Sequence, residues 1–242
     1  MKVGLCGFTI GAAAYYKSFD VVEVQQTFYD PPPADTLRRW RDQAPHGFEF
    51  TMKAWQVITH LGTSKTYRRL RSPFTDEQRA EAGGFRLNDT VLAAWETTLA
   101  CARILRATAI LFQCPPSFRP TAENTAAMRR FFAAIERPTG VRFLWEPRGA
   151  WPDEVVLSLC RDLDLVHTVD PFVRPSLTPE LTYWRLHGNK SHYASYTDGE
   201  LRQIHAWIRP GVETYVMFNN IPRVKDVKRF RAAVQPAPRP FV

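Results

Sequence analysis

Eight short apolar or β-branched runs recur along the chain, each ending in polar, aromatic or proline residues, and helix-like sequence follows most of them. Read through to their polar ends, they cover residues 2–9, 21–29, 48–55, 109–116, 141–148, 165–171, 182–188 and 213–220. Eight strands with intervening helices in 242 residues predict a single (β/α)8 TIM barrel spanning 1–242. No Gly/Ser-rich or charged linker divides the chain. In such a barrel the chemistry sits at the C-terminal ends of the strands, so each run's polar end is where function is sought.

Those ends are unusually rich in reactive side chains. The second run is expected to stay extended to Tyr29-Asp30, before three prolines that cannot donate to a sheet ladder. The third ends at Lys53, the fourth at Gln113-Cys114-Pro115-Pro116 and the fifth at Glu146-Pro147-Arg148. The sixth ends at Asp170, the seventh carries Arg185 and His187, and the eighth ends at Asn219-Asn220. Residues 62–88, rich in Arg, Thr, Ser and Gly, read as an excursion over the barrel mouth or a mobile lid, because long irregular loops are usually functional or disordered. The proline-rich tail from Gln235 is expected to run extended on the surface.

Composition narrows the partners. The net charge is +8, which favours an anionic small molecule or nucleic acid; the competing explanation is a solvated basic surface on arginine-rich helices. Cys6, Cys101, Cys114 and Cys160 form no CxxC pair and read as small buried apolar residues, although Cys6 and Cys114 fall near strand ends and can approach each other. The chain opens directly into a strand and contains no apolar stretch of the roughly 20 residues a membrane span needs. A cytoplasmic protein without a membrane partner is expected.

Several blocks, taken together, carry a resemblance. Residues 23–29 (EVQQTFY), 50–54 (FTMKA), 112–118 (FQCPPSF), 145–148 (WEPR), 185–188 (RLHG) and 218–220 (FNN) resemble the signature blocks of the DUF72, or YecE-like, family, in family order across nearly the whole chain. The resemblance implies a TIM barrel and brings no settled activity with it. The segment Gly7-Phe8-Thr9-Ile10-Gly11 is shorter than the Gly-Thr-Ser-Gly-Trp-like stretch common in the family, and Gln25-Gln26 stands where an Asn-Ser pair is common. In this shortened form the chain resembles the archaeal branch.

Inward charges in a barrel need a reason, because the interior is normally packed with aliphatic side chains. Glu23, earlier in its strand, is expected to lie deeper and to pair with Arg185 or Lys53. Glu146 and Asp170 end adjacent strands, where two carboxylates can divide into general acid and general base. The alternative is an ion-pair network in which Arg148 and Arg185 neutralise them. Lys53 is read as a phosphate contact, a desolvated general base, a Schiff-base amine or a buried ion-pair partner. His187 is read as a proton shuttle or a structural hydrogen bonder, and His60, His167 and His192 have weaker claims.

Glu146, Asp170 and His187 are the set able to supply three ligands to a divalent metal, but no HxH or HExxH spacing accompanies them and arginines lie nearby. No cofactor is expected. Rim aromatics, with Tyr29 and Tyr193 foremost, suit stacking against a base or sugar.

Two functions remain open on these grounds. The first is a hydrolase-like acid–base enzyme acting on an anionic, phosphate-bearing or nucleic-acid substrate. Glu146, Asp170, His187 and Lys53 would carry its chemistry, and Arg148, Arg185, Asn219, Gln113, Tyr29 and Tyr193 would bind its substrate. The second is a non-catalytic protein that binds such a ligand.

Overall fold

A computed structural model describes residues 1–234, and the eight strands are present as a closed, all-parallel barrel. They are β1 (Lys2–Cys6), β2 (Val21–Val24), β3 (Glu49–Lys53), β4 (Ala109–Gln113), β5 (Arg142–Glu146), β6 (Leu165–Val169), β7 (Leu181–Leu186) and β8 (Glu213–Phe218). Each pairs with its neighbour in sequence, and β8 closes on β1 with Lys2 opposite Tyr215 and Leu5 opposite Phe218. The helices are α1 (Ala12–Ser18), α2 (Gln26–Tyr29), α3 (Ala34–Gln43), α4 (Gln56–Thr59), α5 (Asp76–Glu81), α6 (Asp89–Leu105), α7 (Ala122–Ala134), α8 (Asp153–Asp162), α9 (Asp198–Ala206) and α10 (Arg223–Val234).

Strand side chains alternate between faces, and this alternation sorts the core into two layers. Phe50, Phe112, Phe143 and Trp145 face outward into the packing between strands and helices. Val21, Leu111, Leu144, Leu181, Tyr183 and Met217 face inward and fill the middle of the barrel. Below them Lys2 closes the base, its Nζ 2.7 Å from Glu49 and 2.9 Å from Glu213. Above them the same inward alternation delivers polar residues to the mouth.

All four cysteines are buried and unpaired. Cys6 lies inside the barrel, whereas Cys114 belongs to the outer layer, where its Sγ accepts from Trp145 Nε1 at 3.3 Å. The expected approach between them therefore does not occur.

Two expectations are corrected. The second strand does not continue to Tyr29. Gln25 turns to helical dihedrals (φ −92°, ψ −25°) and residues Gln26–Tyr29 form one helical turn. Thr27 Oγ1 ties that turn to β3 by donating to the Lys53 carbonyl at 2.7 Å, which buries Phe28 beneath Lys53 and leaves Tyr29 at the rim.

Residues 62–88 are not a loose lid. They contain a 3-10 helix (Lys65–Arg69) and α5, whose N-terminus carries a Thr75–Gln78 capping box. Tyr67, Ala82 and Phe85 are buried in the main core. The Gly83 and Phe85 amides donate to the Val57 and Ile58 carbonyls at 2.8 and 2.9 Å. Gly83 (φ +88°) lies so close to His60 that a Cβ there would run into its carbonyl group, so only glycine fits. The course of the tail from Gln235 lies outside the described residues.

Candidate functional site

Across the upper barrel runs a ladder of alternating charge. At its bottom Glu23, fully buried on β2, receives the Arg185 Nε–H on both carboxylate oxygens at 3.1 Å, and Tyr183 donates to it at 3.0 Å. Arg185, itself 1% exposed, reaches on to Glu146 through Nη1. Arg148 caps the ladder, its Nε donating to Glu146 Oε1 at 2.9 Å. The four residues balance, two carboxylates against two guanidiniums. The pairing of Glu23 with Arg185 is one of the two expected from sequence.

The ladder decides what Glu146 can do. Burial alone would raise its pKa, but the Arg185 and Arg148 guanidiniums hold the carboxyl well below the usual carboxylate range. A carboxylate that stays ionised and is engaged on both oxygens is an anchor for guanidiniums rather than a proton carrier. Asp170 stands aside as well. Its Oδ1 accepts from the Phe172 amide at 3.1 Å and its Oδ2 from the His187 amide at 2.8 Å, which fixes the turn after β6 and the end of β7.

His187 Nε2 lies 2.8 Å from Arg148 Nη2. A guanidinium has no lone pair to offer, so Nε2 must accept and the ring proton sits on Nδ1, which faces Asp170 at 3.4 Å. The acid–base division between Glu146 and Asp170 therefore gives way to a positioning chain, Asp170–His187–Arg148–Glu146. The oxygens of Glu146 and Asp170 already accept hydrogen bonds and His187 Nε2 faces a cation. Among the described residues no group of three His, Cys, Asp or Glu side chains is arranged to hold a metal ion.

Above the ladder opens a cavity of about 770 Å³. Lys53, Arg69, Arg148, Arg185 and Arg223 line it, together with His187, His192, Gln25, Gln26, Gln113, Asn219 and Tyr29, and among the described residues no carboxylate does. Arg148 and Arg185 are neutralised by the ladder. Lys53, Arg69 and Arg223 have no carboxylate within 4.0 Å among the described residues.

Lys53 is 3% exposed. Its Nζ donates to Gln113 Oε1 at 2.9 Å and lies 3.6 Å from the centre of the Phe28 ring. Burial first, then the Arg185 charge, bring its pKa down from 10.5 to about 7, against the pull of Glu23 and Glu146. The Phe28 face favours the ammonium by about 0.5–2 kcal/mol and opposes the shift without cancelling it. An amine near neutrality can give or take a proton at physiological pH. His60, packed edge-on against Phe28, is pushed down to about 3 by burial and by Lys53 and Arg148, so it stays neutral.

Of the residues chosen from sequence, Lys53, Gln113, Arg148, Arg185, His187, Asn219 and Tyr29 meet around this cavity. Glu146 lies behind it as the ladder's anchor, and Asp170 lines a separate hollow with Glu146, Arg148 and His187. Tyr193 does not join them. It is 81% exposed and points to solvent, while its neighbour Tyr196 is buried and its hydroxyl accepts from the Gly188 amide at 2.6 Å. Sequence reasoning missed Arg69 and Arg223 and gave His192 little weight. Arg69 lies within the compositionally irregular 62–88 stretch, and Arg223 and His192 follow β8 and β7 beyond the polar ends of those strands.

Fold and mouth together define a TIM barrel with a basic pocket at the C-terminal ends of its strands, lined by no carboxylate among the described residues. The chain belongs to the family described as "Protein of unknown function DUF72", whose model matches residues 12–239. The curated UPF0759 protein YunF of Bacillus subtilis is 30% identical over 116 residues, 48% of this chain and 36% of that protein, so the match spans about a third of that relative's length. A DUF72 family protein from Enterococcus faecalis superposes with a TM-score of 0.73 at 19% identity over 98% of both chains. Endonuclease IV from Thermus thermophilus gives a TM-score of 0.55 at 12% identity over 98% of this chain and 100% of that one. Likeness at these identities is one of fold. No helix among the described residues is long and apolar enough to cross a membrane.

Proposed function

We propose that the barrel mouth binds a phosphate-bearing anionic substrate and that Lys53 carries the proton in a hydrolase-like acid–base reaction. One observation supports this above all: a cavity lined by Lys53, Arg69 and Arg223, none with a carboxylate of its own among the described residues, beside a charge ladder that is already balanced. Lys53 is buried and Arg223 half-buried. A half-buried guanidinium is costly without a counter-ion, and an anionic ligand supplies the missing charge. Arg148 and Arg185 are held rigidly by Glu146 and Glu23, Asn219 and Gln113 orient polar groups, and Tyr29, under the Arg69 guanidinium at 4.5 Å, offers a ring face at the rim. General acid–base catalysis by a positioned side chain is worth about 10²–10⁴-fold in rate.

Calorimetry with inorganic pyrophosphate tests the binding half. Single-site binding that weakens with salt and drops at least tenfold in Arg69→Gln/Arg223→Gln is expected; absence of binding at millimolar probe sinks the reading. Phosphate release from a panel of phosphomonoesters and phosphodiesters tests the chemical half, with Lys53→Met losing turnover. Binding with no turnover across the panel would assign the mouth to a non-catalytic ligand-binding protein. Affinity for single-stranded oligonucleotides that grows with length at fixed salt would move the substrate from a small molecule to nucleic acid.

A further inference from the structure

We propose that Lys53 forms an imine with the carbonyl carbon of a small phosphorylated aldehyde or ketone, whose phosphate is held against Arg223, His192 and Asn219. The proposal rests on the anion-site reading of the mouth and adds the two ends of its substrate.

Lys53 is the reactive end. Among the described residues it is the only amine lining the cavity, and its backbone is fixed by β3 and by the Thr27 hydroxyl on its carbonyl at 2.7 Å. The hydrogen-bond partner of its Nζ is an acceptor, Gln113 Oε1, which a neutral amine satisfies with a single N–H while keeping its lone pair. A protonated Lys53 would add an uncompensated charge beside the balanced Glu23–Arg185–Glu146–Arg148 ladder, so burial favours the nucleophilic form. The downward shift of its pKa to about 7 agrees with that geometry. Desolvated lysines of this kind attack carbonyls.

The phosphate end lies at β8, three strands round the barrel from β3. Arg223 and Asn219 follow β8 and His192 belongs to the loop after β7, the quarter of a barrel where the loops after strands 7 and 8 commonly hold phosphate. Arg223 Nη1 donates to the Asn220 carbonyl at 3.2 Å, while its Nε is buried and has no acceptor among the described residues. Asn220 is itself fully buried and held by Asp226 at 2.7 Å and by the Ala194 carbonyl at 3.0 Å, so the guanidinium is presented from a rigid corner.

Between the two ends lie β1 and β2, and a ligand touching both crosses the cavity of about 770 Å³. That volume is within the usual range for sites that enclose a small molecule.

In the step itself, the Lys53 nitrogen bonds to the carbonyl carbon and the C=O π pair takes up a proton, giving a carbinolamine. The hydroxyl then leaves as water, with both amine protons ending on that oxygen and a C=N bond in place of C=O. No oxidant or reductant is consumed.

The test uses pyridoxal 5′-phosphate as a phosphorylated aldehyde probe, sodium borohydride to fix any imine, and peptide mass spectrometry to locate it, with unphosphorylated pyridoxal as control. The full chain at pH 7.5 is expected to take one saturable label, on Lys53, at least tenfold faster with the phosphorylated probe. Pyrophosphate should protect, Arg223→Gln should remove the preference for phosphate while keeping the fold, and Lys53→Met should remove the label. Label spread over exposed lysines such as Lys17 and Lys65, unaffected by Arg223→Gln, overturns the proposal. Pyrophosphate affinity measured in parallel separates the failures: unlabelled Lys53 with intact pyrophosphate binding sinks the imine alone, whereas loss of both sinks the anion site as well.

Discussion

Replacing Lys53 with methionine should make the protein's stability respond to pH differently. The amine titrates at about 7 when folded and at its ordinary 10.5 when unfolded. Below pH 7 both states hold the proton, and the folded state carries the full cost of an ammonium in the barrel. Between 7 and 10.5 the unfolded chain holds a proton that the folded chain lacks, so stability rises with pH at about 1.4 kcal/mol per unit. Above 10.5 neither state is protonated and the cost is gone.

Methionine has no such dependence. Going from pH 7 to pH 9, the wild type should therefore gain about 2 kcal/mol relative to Lys53→Met. For a chain of this length that corresponds to about 4–8 °C in Tm. Scanning calorimetry of both proteins at the two pH values and one ionic strength reads it directly, because the other titrating groups cancel in the difference. The variant should be ahead at pH 7 and keep only about half of that lead at pH 9. A gap that stays constant within about 1 °C would refute a depressed Lys53 and, with it, the neutral amine in the mouth.

Other consequences follow from the same contacts. Arg185→Met leaves Glu23 and Glu146 buried without their shared partner and should cost about 3–5 kcal/mol in urea unfolding, part of it recovered by adding Glu23→Gln; a loss under about 1 kcal/mol would contradict the ladder. Phe85 is fully buried among Phe112, Phe118, Phe131 and Phe132, with ring centres 5.4–6.2 Å away. Phe85→Ala should cost about 3–5 kcal/mol, and the Gly83 and Phe85 amides should be protected from hydrogen exchange in the wild type; rapid exchange there would restore the mobile-lid view of residues 62–88.

The barrel was legible because its signal is repeated eight times and depends only on runs of apolar residues stopping at polar ones. The inward cluster was legible for the same reason: in a parallel barrel the strand ends must converge, so Lys53, Gln113, Arg148, Arg185, His187 and Asn219 had to meet if the strands were right. Glu146 and Asp170 look alike in sequence as strand-end acids. The two guanidiniums beside Glu146 were one of the alternatives open in sequence, whereas the two backbone amides that engage Asp170 are not visible in one dimension. Gln25 ended the second strand early because the Thr27 hydroxyl finds the Lys53 carbonyl, a tertiary contact that local β propensity cannot anticipate. Residues 62–88 look like a loop by composition because their order comes from a few buried anchors, Tyr67, Ala82 and Phe85, widely spaced among polar residues.

Titrating Lys53 Nζ by NMR in lysine-labelled protein, with and without pyrophosphate, measures the uncharged amine and the anion site it faces at once. A midpoint near 7 that moves upward when pyrophosphate binds is the expected result, since an adjacent anion favours the ammonium. A midpoint that remains near 10.5 and ignores pyrophosphate would contradict it.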